Sequence, residues 1–88
     1  MMTKEVTINN KLGLHARPAA LFVQTANKFV SDIIVEKGTK KINAKSIMGI
    51  MSLGVGKGDT IRLITDGPDE EEALEELMDF IENKLLEL

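Results

Sequence analysis

The hydrophobic pattern of the first third of the chain predicts a strand followed by a helix. In residues 4–9, KEVTIN, Val6 and Ile8 alternate with polar residues, as in a half-buried strand. After a turn at Gly13 the apolar residues recur every three or four positions, which predicts an amphipathic helix from Ala16. Pro18 fits its first turn, where a missing N–H costs nothing. The apolar positions of this helix are Ala19, Phe22, Val23, Ala26 and Val30.

The middle of the chain predicts a hairpin and a short helix. Residues 31–44, SDIIVEKGTKKINA, read as two strands joined by a turn at Gly38. Residues 46–54, SIMGIMSLG, form a short apolar segment. Ser46 is the expected N-cap of this helix, and Gly54 is the expected left-handed residue after its last turn.

The last third predicts one more strand and a long helix. Residues 59–65, DTIRLIT, alternate again and would bury Ile61 and Leu63. Residues 68–88 predict a helix that opens with a capping box formed by Asp69 and Glu72. The apolar stripe of this helix consists of Leu74, Leu77, Ile81, Leu85 and Leu88.

The order of these elements predicts the fold class. Four strands and three helices indicate an α+β domain of two layers, in which a mostly antiparallel sheet is covered by helices on one face. With 88 residues the chain is expected to form a single domain, residues 1–88, around one modest core.

Composition excludes several kinds of site. The chain has no cysteine, so disulfides and thiolate chemistry are impossible, and one histidine with scattered acids gives no metal-ligand spacing. We therefore expect no metal and no cofactor. The start of the chain lacks an apolar signal region, and no apolar run approaches the ~20 residues that span a bilayer. We expect no membrane insertion and a cytoplasmic location.

Charge is distributed unevenly within the net value of −3. Residues 1–65 carry ten Lys and Arg against four acids, whereas residues 66–88 carry one Lys against ten acids. Such a basic body with an acidic final segment favours protein partners that are steered to one face. The basic residues are too dispersed, and aromatic residues too few, for nucleic-acid binding.

The only histidine lies in residues 13–20, GLHARPAA, at the start of the first helix. There the unpaired N–H groups and the helix dipole disfavour an imidazolium and favour an anion. Arg17 adds a guanidinium group whose paired N–H donors match the oxygens of a phosphate. A neutral, nucleophilic His15 could therefore hold a phosphoryl group, with Ala16 and Pro18 in the first helical turn beside it. The alternative is that His15 merely caps the helix and Arg17 merely solvates its end; the residues alone leave these two interpretations about even.

GLHARPAA together with residues 45–55, KSIMGIMSLGV, resembles the HPr family, the histidine-containing phosphocarriers of the bacterial phosphoenolpyruvate–sugar phosphotransferase system. The resemblance covers essentially the whole chain and implies an open-faced β-sandwich. It implies that His15 accepts a phosphoryl group on Nδ1 from phosphorylated enzyme I and passes it to enzyme IIA domains, while Arg17 stabilises the group. It also implies a carrier with no turnover of its own, which we expect to be a monomer.

The same resemblance gives Ser46 a regulatory role. In relatives from low-GC Gram-positive bacteria, the serine that opens the short helix is phosphorylated by HPr kinase/phosphorylase, and the product binds a catabolite control protein, a repressor. A phosphate is favourable at a helix N-terminus, and Lys40, Lys41 and Lys45 are near Ser46 in sequence. The alternative from the bare sequence is an ordinary N-cap worth ~1 kcal/mol.

The short helix has more apolar residues than one buried face needs. Ile50 and Leu53 are expected to point to the core, which leaves Ile47, Met48 and Met51 at least partly exposed. Methionine suits surfaces that bind several partners, although such residues more often fill a core. The resemblance favours the exposed alternative, with the patch shared by enzyme I, enzyme IIA, the kinase and the repressor.

Two features qualify the resemblance. The third position before the histidine is usually small and polar in the family, but here it is Leu12, which puts one auxiliary hydrogen bond in doubt. A different function is a regulatory HPr-like corepressor that acts only through Ser46. Such relatives usually lack the motif histidine, so His15 argues against this alternative.

Overall fold

The helices and strands follow the predicted order along the chain. The computed structural model describes residues 1–88. Its elements are β1 (Met2–Thr7), α1 (Ala16–Ala26), β2 (Asp32–Lys37), β3 (Lys40–Asn43), α2 (Ile47–Leu53), β4 (Thr60–Asp66) and α3 (Glu70–Asp79). A π-helical turn, Phe80–Lys84, and a 3-10 turn, Leu85–Glu87, follow α3.

The four strands form one sheet in the order β1-β4-β2-β3, and every neighbouring pair is antiparallel. Ile33, Val35, Ile61 and Leu63 point from the central strands into the core, because alternate residues of a strand share a face. The helices pack on this face, and Phe22 of α1 meets Phe80 edge-on with ring centroids 5.8 Å apart. The predicted α+β class and the open-faced sandwich are confirmed.

The opposite face of the sheet carries polar and half-buried residues. Glu36 lies between Arg62 and Lys41 on neighbouring strands, and its carboxylate is 3.7 Å from the first side chain and 3.5 Å from the second. Cross-strand pairs of opposite charge suit a solvated face.

None of the helices combines the length and the apolar character that crossing a bilayer requires.

Two predictions about residues at helix ends are wrong. Val30 is 77 % exposed, because α1 ends at Ala26 and Val30 lies in the turn that leads to β2. Leu88 is 45 % exposed, because the final helix widens into the π-helical turn and then ends in the 3-10 turn. The other four members of the predicted stripe are buried.

The predicted capping box is absent from the start of α3. Asp69 occupies the N-cap position but makes no side-chain bond to the helix. Its carboxylate instead accepts hydrogen bonds from the backbone N–H groups of Val30 and Ser31 and from the Ser31 hydroxyl. The next residue, Glu70, accepts from the N–H of Gly67 at 3.1 Å. Asp69 therefore joins two loops rather than closing its own helix.

Candidate functional site

His15 is exposed at the N-cap of α1, as the sequence predicts. Its backbone is extended, with φ −79° and ψ −171°, and its carbonyl accepts the first helical bond from Ala19 at 2.8 Å. Its imidazole makes no capping hydrogen bond to the helix. The main chain alone starts the helix, so both ring nitrogens are accessible for chemistry.

The first turn of α1 offers backbone donors beside the imidazole. The N–H groups of Ala16 and Arg17 have no partner within the helix, because they precede the first i→i−4 bond. Pro18 has no N–H, so its contribution is a fixed φ and a buried ring. Ala16 and Arg17 are therefore the two residues whose backbone can donate to an anion held at His15.

Arg17 is exposed and forms no ion pair, whereas five of the other ten lysine and arginine side chains do. With His15 and Pro18 it lines a cleft of about 270 Å³, to which Glu87 and Leu88 also contribute. A guanidinium without a carboxylate partner can turn its donors toward a phosphoryl group. Its side chain and the α1 N-terminus converge on the same cleft.

Ser46 is the N-cap of α2, and this prediction is confirmed. Its Oγ accepts a hydrogen bond from the Gly49 N–H at 3.1 Å, and Gly54 ends the helix with φ +61°. The predicted neighbouring lysines are differently placed: Lys45 donates to the carbonyl of Phe29 at 2.7 Å, and Lys41 pairs with Glu36. The favourable environment of a phosphate at Ser46 would come from the helix rather than from these two ammonium groups.

The apolar residues of α2 divide as predicted between the core and the surface. Ile50 and Leu53 are buried, while Ile47, Met48 and Met51 are 38 %, 79 % and 48 % exposed. We call these last three residues the α2 patch. Because α2 packs against α1, the patch lies on the helical side of the molecule that also presents His15.

A segment after α2 connects it to the histidine loop. The Leu14 N–H donates to the carbonyl of Val55 at 3.0 Å, and Gly13 lies directly against Val55 and Gly56. Asp59 holds this segment in place: the Gly56 N–H and, next in strength, the Lys37 ammonium keep the pKa of its carboxyl below the ordinary value. Sequence reasoning missed Asp59 and Lys37, because no local pattern brings them together.

Comparison with known proteins identifies the class to which this fold and site belong. Residues 2–83 match the family model described as "PTS HPr component phosphorylation site". The chain belongs to the HPr family of phosphocarrier proteins. The predicted family is therefore confirmed.

Individual relatives carry two different names. The chain is 61 % identical to the HPr-like protein Crh of Halalkalibacterium halodurans, over 96 % of this chain and 100 % of the relative. It is 48 % identical to the phosphocarrier protein HPr of Cupriavidus necator, over 96 % and 94 %. The crystal structure of HPr from Thermoanaerobacter tengcongensis superposes with a TM-score of 0.93 at 63 % identity, covering 96 % of this chain and 94 % of that chain.

A further solved structure bears on assembly. A crystal structure of an HPr dimer from the same organism is 66 % identical and superposes with a TM-score of 0.76, covering 92 % of this chain and 95 % of that chain.

Proposed function

We propose that this chain carries phosphoryl groups on His15, which it receives from phosphorylated enzyme I and delivers to enzyme IIA domains. The observation that supports this most strongly is the exposed imidazole beside two free backbone N–H groups and an unpaired guanidinium. In the first transfer, the Nδ1 lone pair of neutral His15 attacks phosphorus while the bond from phosphorus to the donor atom of enzyme I breaks. Delivery to enzyme IIA reverses these roles.

The surroundings of His15 suit a carrier rather than a hydrolase. The only acidic side chain that lines the cleft is that of Glu87, in the last turn of the chain. The negative charge of a phosphoryl group on His15 is offset, between the two transfers, by the free N–H groups of Ala16 and Arg17 and by the Arg17 guanidinium. The carrier is consumed and regenerated by its partners and has no turnover of its own.

Intact-mass spectrometry after incubation with phosphoenolpyruvate and enzyme I tests this proposal. We expect one added phosphoryl group that is lost in acid, absent in His15→Ala and retained in Ser46→Ala. A modification that survives acid, or that persists in His15→Ala, would contradict it.

We further propose that Ser46 is the regulatory site, phosphorylated by HPr kinase/phosphorylase. The N-cap position supports this, because phosphate oxygens can accept the N–H bonds that open α2. The α2 patch, with Met48 at its most exposed point, then serves enzyme I, enzyme IIA, the kinase and the catabolite control protein. A dianion at its edge changes which of these partners can dock.

The second candidate is a corepressor that works only through Ser46. The 61 % identity to an HPr-like protein named Crh favours it, whereas His15 favours the carrier. Transfer through His15 decides between them: a corepressor of this kind would bind the repressor after Ser46 phosphorylation but accept nothing from enzyme I. Both candidates would act in the cytoplasm. For both we also expect a monomer. Light scattering of the protein in solution would test this expectation against the dimer seen in the crystal structure of the T. tengcongensis relative.

A further inference from the structure

The loop that leads into His15 contains a buried amide side chain. Asn10 is only 8 % exposed, although asparagine is mostly found at the surface. Its Nδ2 donates to the carbonyl of Gly13 at 2.8 Å, but its Oδ1 is buried without any hydrogen-bond partner. A buried polar atom of this kind is costly, so its retention calls for an explanation.

The hydrogen bond from Asn10 acts on one particular peptide unit. The Gly13 carbonyl and the Leu14 N–H belong to the same planar peptide, and the N–H end donates to the Val55 carbonyl at 3.0 Å. The two ends of this peptide are thus held from opposite sides, one by a side chain of the same loop and one by the segment after α2. Rotation of the peptide about its neighbours would break both bonds.

This is the point at which the loop would otherwise be free to turn. Gly13 has φ +65°, and a Cβ at this position would lie 2.3 Å from the Val55 carbonyl oxygen, so the residue must be glycine. Glycine leaves the peptide unrestrained by a side chain of its own. Within residues 8–15 the only side-chain hydrogen bond is the one from Asn10, since Leu12 at the tip of the turn has no polar group.

We propose that Asn10 is a positioning residue for phosphoryl transfer at His15. It clamps the Gly13–Leu14 peptide, which is followed directly by the histidine, and so fixes the direction from which the imidazole meets a phosphoryl donor. The unpaired Oδ1 is the cost of placing a donor at the Gly13 carbonyl. This inference rests on the proposed role of His15 as the acceptor.

Two nearly isosteric substitutions separate positioning from packing. Asn10→Leu fills the same space and removes the unpaired oxygen, but it also removes the donor to the Gly13 carbonyl; because one unpaired oxygen is exchanged for another, we expect little net change in stability. Asn10→Asp keeps the shape but presents only acceptors to the Gly13 carbonyl at neutral pH. In both variants kcat for phosphorylation by enzyme I should fall between about 10- and 100-fold with KM for the chain unchanged, because the ring is misplaced and the docking surface is intact. Asn9→Ala, an exposed neighbour in the same loop with no side-chain hydrogen bond, is the matched control and should leave kcat unchanged.

Hydrogen exchange at the Leu14 amide provides a readout that does not depend on transfer. It should accelerate in Asn10→Leu and Asn10→Asp but not in Asn9→Ala, while core amides such as that of Leu63 stay protected. If either Asn10 variant folds and transfers with the kcat of the unchanged protein, the positioning role is refuted. If the unchanged protein itself accepts nothing from enzyme I, the carrier proposal fails instead, and unaltered exchange at Leu14 would then refute the clamp separately.

Discussion

At the scale of the residue, the proline three positions after His15 contributes to the accessibility of the imidazole. An N-cap side chain usually accepts from the N–H of the second or third helical residue. Here the third helical residue is Pro18, which has no N–H, and the imidazole forms no such bond. Pro18 thus removes one of the two usual capping donors, and the ring does not use the other, so the N–H groups of Ala16 and Arg17 remain available to a group held by the ring.

Phosphorylation of Ser46 is expected to leave the fold intact. The Ser46 oxygen already accepts an N–H bond from Gly49, and a phosphate at the same position would meet the positive end of α2. Hydrogen exchange of the α2 amides should be unchanged or slower in the Ser46-phosphorylated protein, while the rate of phosphorylation by enzyme I falls. Faster exchange throughout α2 would show that the phosphate disrupts the helix and that regulation works by unfolding it.

Residues with local signals could be predicted, and those without them could not. Ser46 and Gly54 stand at the ends of a short apolar run, and His15 lies between a glycine and a helix-starting proline, so their places were readable from the sequence. Asn10 is different. Its role depends on the turn that Gly13 makes against Val55, which is a contact between distant parts of the chain.

At the scale of the element, the ends of helices are held by bonds between loops. Ser31 and Asp69 form a reciprocal pair: Ser31 donates its N–H and hydroxyl to the carboxylate, and its Oγ accepts the Asp69 N–H at 3.1 Å. The pair joins the turn before β2 to the start of α3. This competing use of the carboxylate explains why the predicted capping box does not form.

Acid should weaken this link. The Ser31 hydroxyl, followed by the N–H of Val30, holds the pKa of Asp69 below its ordinary value of 3.8. Because folding lowers this pKa, the unfolded chain binds the proton more readily; the stabilisation is complete well above 3.8 and is lost as the pH falls toward the folded value. Urea denaturation between neutral pH and about pH 2 should show that Asp69→Asn lowers the free energy of unfolding at neutral pH and flattens its decline in acid.

Glu75→Gln is the control for that series. It removes one charge from the same helix, but Glu75 is exposed and has no hydrogen bond or ion pair. Its profile should run parallel to that of the unchanged protein. An Asp69→Asn profile that also runs parallel would show that the carboxylate does not link folding to pH.

The sequence predicts that a helix or strand forms more reliably than it predicts the residue at which that element ends. Alternation located β2 and β4, and three- and four-residue spacing located α1 and α3. The widening of the last helix at Phe80–Lys84 cannot be detected in the hydrophobic pattern, because Leu85, directly after the π-helical turn, is still buried. Val30 shows the same limit, since it continues the apolar spacing of a helix that has already ended.

At the scale of the whole molecule, the proposed phosphoryl site and the proposed docking surface share the helical side, and the opposite face of the sheet is left to solvent. The α2 patch and the start of α1 both belong to helices that cover the core. The proposed use of this surface by several proteins would explain why three apolar side chains remain exposed on a seven-residue helix. Such a surface also lets one modification affect every partner.

A charge in the α2 patch should weaken several partners together. Met48→Asp is expected to reduce affinity for enzyme I, enzyme IIA and the kinase by about tenfold or more each, since an apolar contact is replaced by a carboxylate that must be desolvated. Thr3→Asp adds the same charge to the exposed outer face of the sheet and should change none of them. Calorimetric titration of both variants measures this; equal affinities for Met48→Asp and the unchanged protein would remove the patch from the account.

The central claim is that a phosphoryl group on His15 is held by the first turn of α1. Nitrogen-15 NMR of the chain after phosphorylation by enzyme I tests it most directly, because it reports both the modified ring nitrogen and the amides that receive new hydrogen bonds. We predict a phosphoryl group on Nδ1 of His15, with the largest downfield amide shifts at Ala16 and Arg17. Phosphorylation on Nε2, or amides of Ala16 and Arg17 that do not move, would contradict the account.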